Sequence, residues 1–289
     1  YLCAQREQFR ITPWYNDAVS DNYGEKLYMK YKGEIYDVIA GASAAFYRGY
    51  AEYVCAAGDV RVRTTVFVPS GEQCKTICIE AENSAGEPAD VSFCYGADLV
   101  LGQTFHKDDR MIRIEEKDGV LYARNPYHTE YGTGVVYLTG FKADAVGISK
   151  LAFLCGEYED ARRMVSGEEP FAYCMKRLSL PAGGKERTVF VLGFSPGRET
   201  ARLAAERVDV WRAREWLDRQ ALPQSAAYAP LRVQTPDRAF DEFVNTFLYY
   251  QAIQSRITAR TAFYQSSGAY GFRDQLQDAM SVLRTSQNA

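Results

Sequence analysis

The first two-thirds of the chain consists of short segments in which apolar and polar residues alternate, separated by turn residues. Along residues 74–82, for example, Cys78 falls on one face of a strand, whereas Ile77 and Ile79 fall on the other. Further strands are predicted at residues 61–69, 89–97, 111–116, 120–124, 134–138 and 187–194, and Asp118-Gly119 predicts a tight hairpin between two of them. Because few segments here have a helical period, the pattern predicts a large antiparallel β-sandwich over residues 1–207.

Helical periodicity replaces the alternation after residue 199. Residues 199–220 have the composition and spacing of one helix, which Pro223 and Pro230 bring to an end. These signals predict a helical linker over residues 208–234, and the remaining residues, 235–289, begin a separate helical domain. The fold class is therefore mainly β with α.

A start signal for a helix opens this last part of the chain. Thr235 has the side chain of an N-cap, and Pro236 suits the first helical position. Phe240, Phe243 and Phe247 then recur at intervals of three or four residues. This spacing predicts a helix that buries its aromatic face.

Composition narrows the class of protein. The 289 residues are 47% hydrophobic and 25% charged with a net charge of −3, which is typical of a globular protein without a nucleic-acid partner. No apolar run reaches the roughly 18 residues that a membrane span needs. The chain lacks an initial Met and stops soon after its most distinctive motif, so we expect a piece of a longer protein.

The cysteines and histidines argue against a metal site. Most of the seven cysteines lie in apolar, strand-like segments, which suits reduced, buried thiols of a cytoplasmic protein. Cys74 and Cys78 have a spacing seen in zinc sites, but no further Cys or His cluster completes a ligand set. We therefore predict no metal.

The most unusual segment of the chain runs from residue 264 to residue 278. It combines aromatic rings with charged and amide groups, which are costly to bury without partners. Aromatic faces beside forked donors and acceptors suit a sugar, which offers CH faces for stacking and hydroxyls for hydrogen bonds. The predicted sugar-binding residues are Tyr264, Gln265, Tyr270, Arg273, Asp274, Gln277 and Asp278.

A helix that begins near Arg273 would place Asp274 and Asp278 one turn apart on one face. Carboxylates in the first turn of a helix are favoured in their ionised form. The alternative to a sugar site is a structural Arg–Asp bridge combined with helix capping.

The segment 264–278 resembles the start of the catalytic barrel in the inverting disaccharide phosphorylases of glycoside hydrolase family 94, formerly glycosyltransferase family 36. Within that family it resembles the branch of cyclic β-1,2-glucan synthases and 1,2-β-oligoglucan phosphorylases. Residues 12–17 (Thr-Pro-Trp-Tyr-Asn-Asp) and 123–127 (Ala-Arg-Asn-Pro-Tyr) are similar to two further runs of the family. The resemblance implies a sandwich, a helical linker and the first helices of a truncated (α/α)6 barrel.

The resemblance also implies a reaction. Such enzymes cleave a β-glucosidic bond with inorganic phosphate and release α-glucose 1-phosphate. One carboxylic acid protonates the leaving oxygen and phosphate attacks from the opposite face, so no second carboxylate is needed as a base. In the family the acid is an Asp of a later Asp-Trp-Asn-Asp-type run, which does not occur here. We therefore assign no catalytic residue to this fragment, expect it to be inactive alone, and expect no cofactor besides the co-substrate phosphate.

The resemblance to the family implies a role or a substrate preference at two specific positions. The Asp of the family's Gly-Phe-Arg-Asp run holds hydroxyls of the glucosyl unit, and Asp274 occupies this position here. Cellobiose-type enzymes have an Arg six residues earlier, where this chain has Gly268, and this difference favours a β-1,2-glucan. Trp14, Asn16 and Asp17 are further candidates for sugar contact. The family's sandwich can contribute to a partner subunit's active site, which implies a homodimer.

Three alternatives remain open at this point. The first is a cellobiose- or cellodextrin-type phosphorylase. The second is a glycoside hydrolase that uses Asp274 and Asp278 as its carboxylate pair, because sequence does not fix their separation. The third is a non-catalytic carbohydrate-binding or assembly module in which the sandwich is the working part.

Overall fold

The computed structural model describes residues 2–6, 9–13, 23–47, 49–103, 107–158, 167–221 and 232–248, together with residues 261–262, 265–266, 273, 276–277 and 280. The chain divides into two compact units. One contains residues 1–4 and 11–221, and the other contains residues 5–10 and 222–289.

The first unit is a sandwich of two antiparallel sheets, as predicted. The larger sheet contains eight strands in the spatial order β10 (Arg113–Lys117), β11 (Val120–Arg124), β12 (Val135–Gly140), β15 (Lys185–Ser195), β8 (Cys74–Asn83), β7 (Val60–Phe67), β6 (Tyr50–Ala57) and β5 (Ser43–Tyr47). The smaller sheet contains five strands in the order β13 (Ala145–Gly147), β14 (Phe171–Leu180), β9 (Ala89–Asp98), β3 (Glu25–Tyr31) and β4 (Glu34–Asp37). The strands predicted from alternation agree with the observed ones to within a few residues.

The core lies between the two sheets and follows from the alternation. Leu27 and Met29 of β3 are fully buried. Ile77 and Ile79 of β8 are at most 1% exposed. Since successive side chains of a strand point to opposite faces, these residues share the inward faces of their sheets. Full burial of each such side chain contributes about 1.5–3 kcal/mol relative to exposure.

Helices cover the outer faces of the sheets. Helices α3 (Arg198–Glu206) and α4 (Val210–Ala221) pack on the larger sheet. Their residues Ala201 and Ala213 form a buried cluster with the side chains on the outward face of that sheet. Helix α2 (Lys150–Cys155) covers the smaller sheet, with Phe153 in a second buried cluster. A short helix α1 (Thr129–Thr133) lies between β11 and β12.

Residues 199–220 are helical as predicted, but they form two helices with a break between them and not one continuous helix. The break has two local causes. Val208 is buried in the cluster beneath α3 and α4. The Asp209 carboxylate accepts a hydrogen bond from the Arg212 backbone N–H at 2.7 Å, which caps the start of α4.

The ends of the sandwich are built differently. At one end, which we call the motif end, β3 and β8 begin, β9, β11 and β15 end, and mostly longer connections join the strands. At the opposite end, which we call the hairpin end, short connections join β3 to β4, β6 to β7, β8 to β9, β10 to β11 and β14 to β15. Asp118 and Gly119 have φ angles of 55° and 76°, which confirms the predicted hairpin.

The second unit includes a helix, α5 (Arg238–Glu242), that continues as a π-helical turn (Phe243–Phe247). Its predicted N-cap, Thr235, is wrong. Asp237 is the N-cap and its side chain accepts from the backbone N–H groups of Ala239 and Phe240. The Thr235 hydroxyl instead donates to Asp241 Oδ1 at 2.9 Å and accepts from the Asp237 backbone N–H at 3.2 Å, before the helix begins.

The predicted burial of the aromatic face of this helix is also wrong for the residues that the structure describes. Phe240, Phe243 and Phe247 are 49%, 47% and 48% exposed. Their spacing defines an apolar face but does not supply a partner for it. The described part of this unit also contains two strand pairs, β1 (Gln5–Arg6) with β2 (Phe9–Arg10) and β16 (Thr261–Ala262) with β17 (Gln265–Ser266). None of the helices described is long and apolar enough to cross a membrane.

Candidate functional site

The sugar-binding residues predicted from the sequence fall mostly outside the described residues. Those outside are Tyr264, Tyr270, Asp274 and Asp278, together with Trp14, Asn16 and Asp17. The backbone of Gln265 lies in β17, paired with β16. Arg273 and Gln277 are helical and their side chains are exposed. The described positions from 273 onward are thus helical, in agreement with the helix predicted there.

The motif end contains a buried carboxylate with three donors. Glu25, the first residue of β3, is 7% exposed. Its Oε2 atom accepts hydrogen bonds from Lys75 Nζ and from the Tyr95 hydroxyl, the latter at 2.7 Å. Its Oε1 atom accepts from Thr12 Oγ1 at 3.0 Å. Since Glu25 and Tyr95 belong to the smaller sheet and Lys75 to the larger, the ion pair bridges the two sheets.

The same cluster holds the N-terminal segment. Lys75 Nζ also donates to the Cys3 carbonyl at 3.0 Å. Thr12 Oγ1 accepts from the Ala4 backbone N–H at 2.7 Å. Residues on both sides of the β1–β2 pair are therefore tied to Glu25, including the threonine that begins the family-like run of residues 12–17. A buried charge pair needs such additional hydrogen bonds to offset the loss of solvation.

A second buried carboxylate, Asp98, ends β9. It is 1% exposed, and its Oδ1 atom lies 2.7 Å from Lys150 Nζ. Its Oδ2 atom accepts from the Gly24 backbone N–H at 2.9 Å. Burial raises the pKa of Asp98 to about 6, although Lys150 and the Gly24 N–H oppose this rise. Asp98 thus fixes the start of β3 next to Glu25.

The second family-like run, residues 123–127, forms an anchored turn at the same end. Asn125 is 2% exposed, and its amide donates to the carbonyls of Leu101 and Asp108 at 3.2 and 3.1 Å. Its side-chain oxygen accepts from the Tyr127 backbone N–H at 3.1 Å. Both groups of the amide are therefore satisfied, as a buried Asn requires.

A short segment connects the two runs. Val100 N–H donates to the carbonyl of Ile11 at 2.9 Å, and the next residue, Leu101, accepts the bond from Asn125. The two runs, far apart in sequence, thus meet on either side of this segment. The structure therefore gathers at the motif end the described parts of both family-like runs.

The buried groups at this end hold structure rather than perform chemistry. Glu25 and Asp98 each have a cationic partner and further hydrogen-bond donors from neighbouring segments. Within the described residues, no group of three or more His, Cys, Asp and Glu side chains could hold a metal ion. Glu25, Lys75 and Asp98 were missed by the sequence analysis.

Family models match both parts of the chain. The model of the glycosyl hydrolase 94 supersandwich domain matches residues 1–210, which include the whole sandwich. The model of the glycosyl hydrolase 94 superfamily catalytic domain matches residues 226–288. The chain belongs to glycosyl hydrolase family 94. This confirms the resemblance seen in the sequence.

Relatives of this family 94 chain are longer proteins. It is 27% identical over 308 residues to the cyclic β-(1,2)-glucan synthase NdvB of Rhizobium meliloti (strain 1021), covering 95% of this chain and 11% of the synthase. It is 26% identical over 258 residues to the N,N'-diacetylchitobiose phosphorylase of Vibrio furnissii, covering 82% of this chain and 32% of the phosphorylase. A bacterial glucoamylase structure has a TM-score of 0.43 at 11% identity, with 68% of this chain and 31% of the other covered. The chain thus spans a third or less of each.

Proposed function

We propose that this family 94 chain is part of an inverting phosphorylase that cleaves β-1,2-glucan with inorganic phosphate and releases α-glucose 1-phosphate. Membership of the family supports a glycoside phosphorylase-type function. The observation that carries the finer proposal is the match to a cyclic β-(1,2)-glucan synthase along 95% of the chain. Gly268, which stands where cellobiose-type enzymes have an Arg, supports the same linkage.

In this proposal the chain binds and orients the sugar, and it does not transfer protons. Asp274 holds hydroxyls of the glucosyl unit at the cleavage site, and the neighbouring residues of segment 264–278 complete the sugar contacts. The general acid belongs to a later part of the catalytic domain. We further propose that the whole enzyme acts in the cytoplasm as a homodimer, with phosphate as its co-substrate and no other cofactor.

A second candidate is phosphorolysis of N,N'-diacetylchitobiose. Two relatives bear that name, and one aligns with 82% of this chain at 26% identity. The two candidates differ in the sugar at the cleavage site, because the second carries an N-acetyl group that the first lacks. They also differ in product, and this makes them easy to separate.

The test uses the full-length parent enzyme. It is incubated with phosphate and, separately, with β-1,2-glucooligosaccharides, cellobiose, laminaribiose and N,N'-diacetylchitobiose, and the sugar 1-phosphates are measured. Release of glucose 1-phosphate from the β-1,2-glucan alone supports the proposal. Release of a sugar 1-phosphate from cellobiose or chitobiose supports phosphorolysis but contradicts β-1,2-glucan as the substrate. Free glucose without a sugar phosphate indicates a hydrolase, and no product from any sugar favours a binding module.

The substitution Asp274→Ala tests the site within this reaction. We expect turnover to fall at least about a hundredfold, because hydrogen bonds to an ionised carboxylate are worth roughly 1.5–3 kcal/mol each. The thermal midpoint should stay close to that of the parent. Asp218→Ala is a matched control, because Asp218 is a surface residue whose side chain is 64% exposed. Near-normal turnover of the Asp274 variant would remove this residue from the site.

A further inference from the structure

Tyr127 has a fixed backbone and an exposed ring. Its N–H donates to the buried side chain of Asn125, whereas its own side chain is 78% exposed. Asn125 is anchored in turn to the carbonyls of Leu101 and Asp108. Folding therefore fixes the position from which the ring projects but makes little use of the ring itself.

The anchor of this turn has an unusual backbone. Leu101 has a φ of 43°, a left-handed conformation that is uncommon for residues other than glycine. Its side chain is fully buried. Conformations of this kind persist where the surrounding structure enforces them, and they cluster at functional sites. Among the residues that the structure describes, the other non-glycine residues with positive φ are Lys32, Asp118 and Lys142, which lie in turns between strands.

The turn also adjoins the other family-like run. The carbonyl of Ile11 accepts from Val100 N–H, one residue before Leu101. The Tyr127 backbone is thus linked to this segment through Asn125, whose amide binds the Leu101 carbonyl. An exposed aromatic ring is the kind of group on which the CH face of a pyranose packs.

We propose that Tyr127 is a stacking platform for a glucosyl unit of the oligosaccharide, in addition to the sugar-binding residues proposed in segment 264–278. This inference rests on the proposed function, because it names a further binding subsite for the same neutral β-glucan. Asn125 is the positioning residue of the platform. It holds the Tyr127 backbone and does not contact the sugar.

The experiment replaces Tyr127 in the full-length parent enzyme. For Tyr127→Ala we expect the KM for β-1,2-glucooligosaccharide to rise about tenfold, which corresponds to about 1.4 kcal/mol of lost binding. The value of kcat should change less than about twofold, since uniform binding affects KM alone. Tyr127→Phe keeps the ring and should retain the parent KM.

Phe46→Ala is the matched control. Phe46 lies in β5 and is 77% exposed, so this substitution also removes an exposed aromatic ring, but from a different part of the sandwich. We expect the parent KM for this variant. The thermal midpoints of all three variants should match the parent, because none of the rings is buried.

Calorimetric binding of β-1,2-glucooligosaccharide without phosphate separates this proposal from the proposed function. If the parent binds the sugar but releases no glucose 1-phosphate, the phosphorylase proposal fails while the platform is still tested by weaker binding of Tyr127→Ala. If the parent is active and folded Tyr127→Ala has the parent KM and affinity, the platform is overturned. An equal loss in Phe46→Ala would overturn it too, as would a parent that binds none of the glucan.

Discussion

The two ends of the sandwich close the same pair of sheets by different means. Among the described residues, the buried charged side chains all lie at the motif end, namely Glu25, Lys75, Asp98 and Asp109. At the hairpin end the buried polar residue is Asn83, whose amide donates to the carbonyls of Glu87 and Pro181 at 2.8 and 3.2 Å. The strands there return through short connections, some with glycine at positive φ.

This difference separates local from long-range determinants. A type I′ turn forms because neighbouring residues tolerate positive φ, so it depends on a few adjacent positions. The cluster around Glu25 depends on Thr12, Lys75 and Tyr95, which come from three separate segments. An end built on such a network is sensitive to single substitutions, because each buried charge depends on partners from other segments.

The largest expected effect is the removal of one partner of the buried ion pair. Lys75→Met leaves the Glu25 carboxylate buried without its cation and should lower the free energy of unfolding by about 3–5 kcal/mol. Chemical denaturation of the parent enzyme and the variant at neutral pH measures the difference.

The hairpin end supplies the matched control for this ion pair. Lys185 and Glu82 form a pair at 3.1 Å, with side chains 49% and 38% exposed. Lys185→Met should change stability by less than about 1 kcal/mol, since exposed pairs contribute little. The double variant Glu25→Gln/Lys75→Met should recover much of the loss. Equal losses in the two single variants would remove the contrast between the ends.

A smaller effect should appear in the pH dependence of stability. The pKa of Asp98 is about 6 in the folded chain, whereas an unfolded Asp has a pKa of about 3.9. Between these values the folded state binds a proton that the unfolded state has released. The contribution of Asp98 is therefore fully present below about pH 4 and declines by about 2–3 kcal/mol as pH rises through about 6.

The substitution Asp98→Asn isolates this contribution. Urea unfolding of parent and variant is compared from about pH 4 to pH 7, and the variant should become relatively more stable as pH rises. A difference between the two proteins that does not vary with pH would show that Asp98 keeps its ordinary pKa.

Apart from the control variant Lys185→Met, the smallest expected effect comes from a backbone substitution at the hairpin end. Gly119→Ala places a Cβ atom at a φ of 76° in the turn between β10 and β11. The left-handed conformation should cost about 1–2 kcal/mol. No other atom lies within 4 Å of the added Cβ, so strain alone is measured. Thermal unfolding tests this, and a loss as large as that of Lys75→Met would contradict the local character of this end.

The sequence predicts one hairpin of the hairpin end, at Asp118-Gly119, but none of the buried network of the motif end, for a physical reason. A tight turn and the alternation beside it are determined by neighbouring residues. Glu25 is in phase with the inward residues Leu27 and Met29, and Lys75 is in phase with Ile77. A charged residue in phase with an apolar face is a signal for burial, but it does not say which distant charge will pair with it.

The helices show the same limit. The spacing of residues 199–220 correctly indicates an apolar helical face, yet the helix is interrupted where Asp209 caps the start of α4. Thr235 is likewise bonded to Asp241 instead of capping α5. In both cases an aspartate competes for backbone N–H groups, and which one succeeds depends on packing that periodicity does not describe. Of the residues predicted to bind sugar, the structure describes the side chains of Arg273 and Gln277 alone.

The attachment of the N-terminal segment has a consequence for where the domain can be cut. A shortened chain that began at Tyr23 would still contain every strand of both sheets. It would lack the Thr12 hydroxyl and the Cys3 carbonyl, which are partners of Glu25 and Lys75. The buried ion pair would then lose two hydrogen-bond partners that only water could replace. The boundary of the folding unit is therefore set by these two bonds and lies well before the first strand of the sandwich.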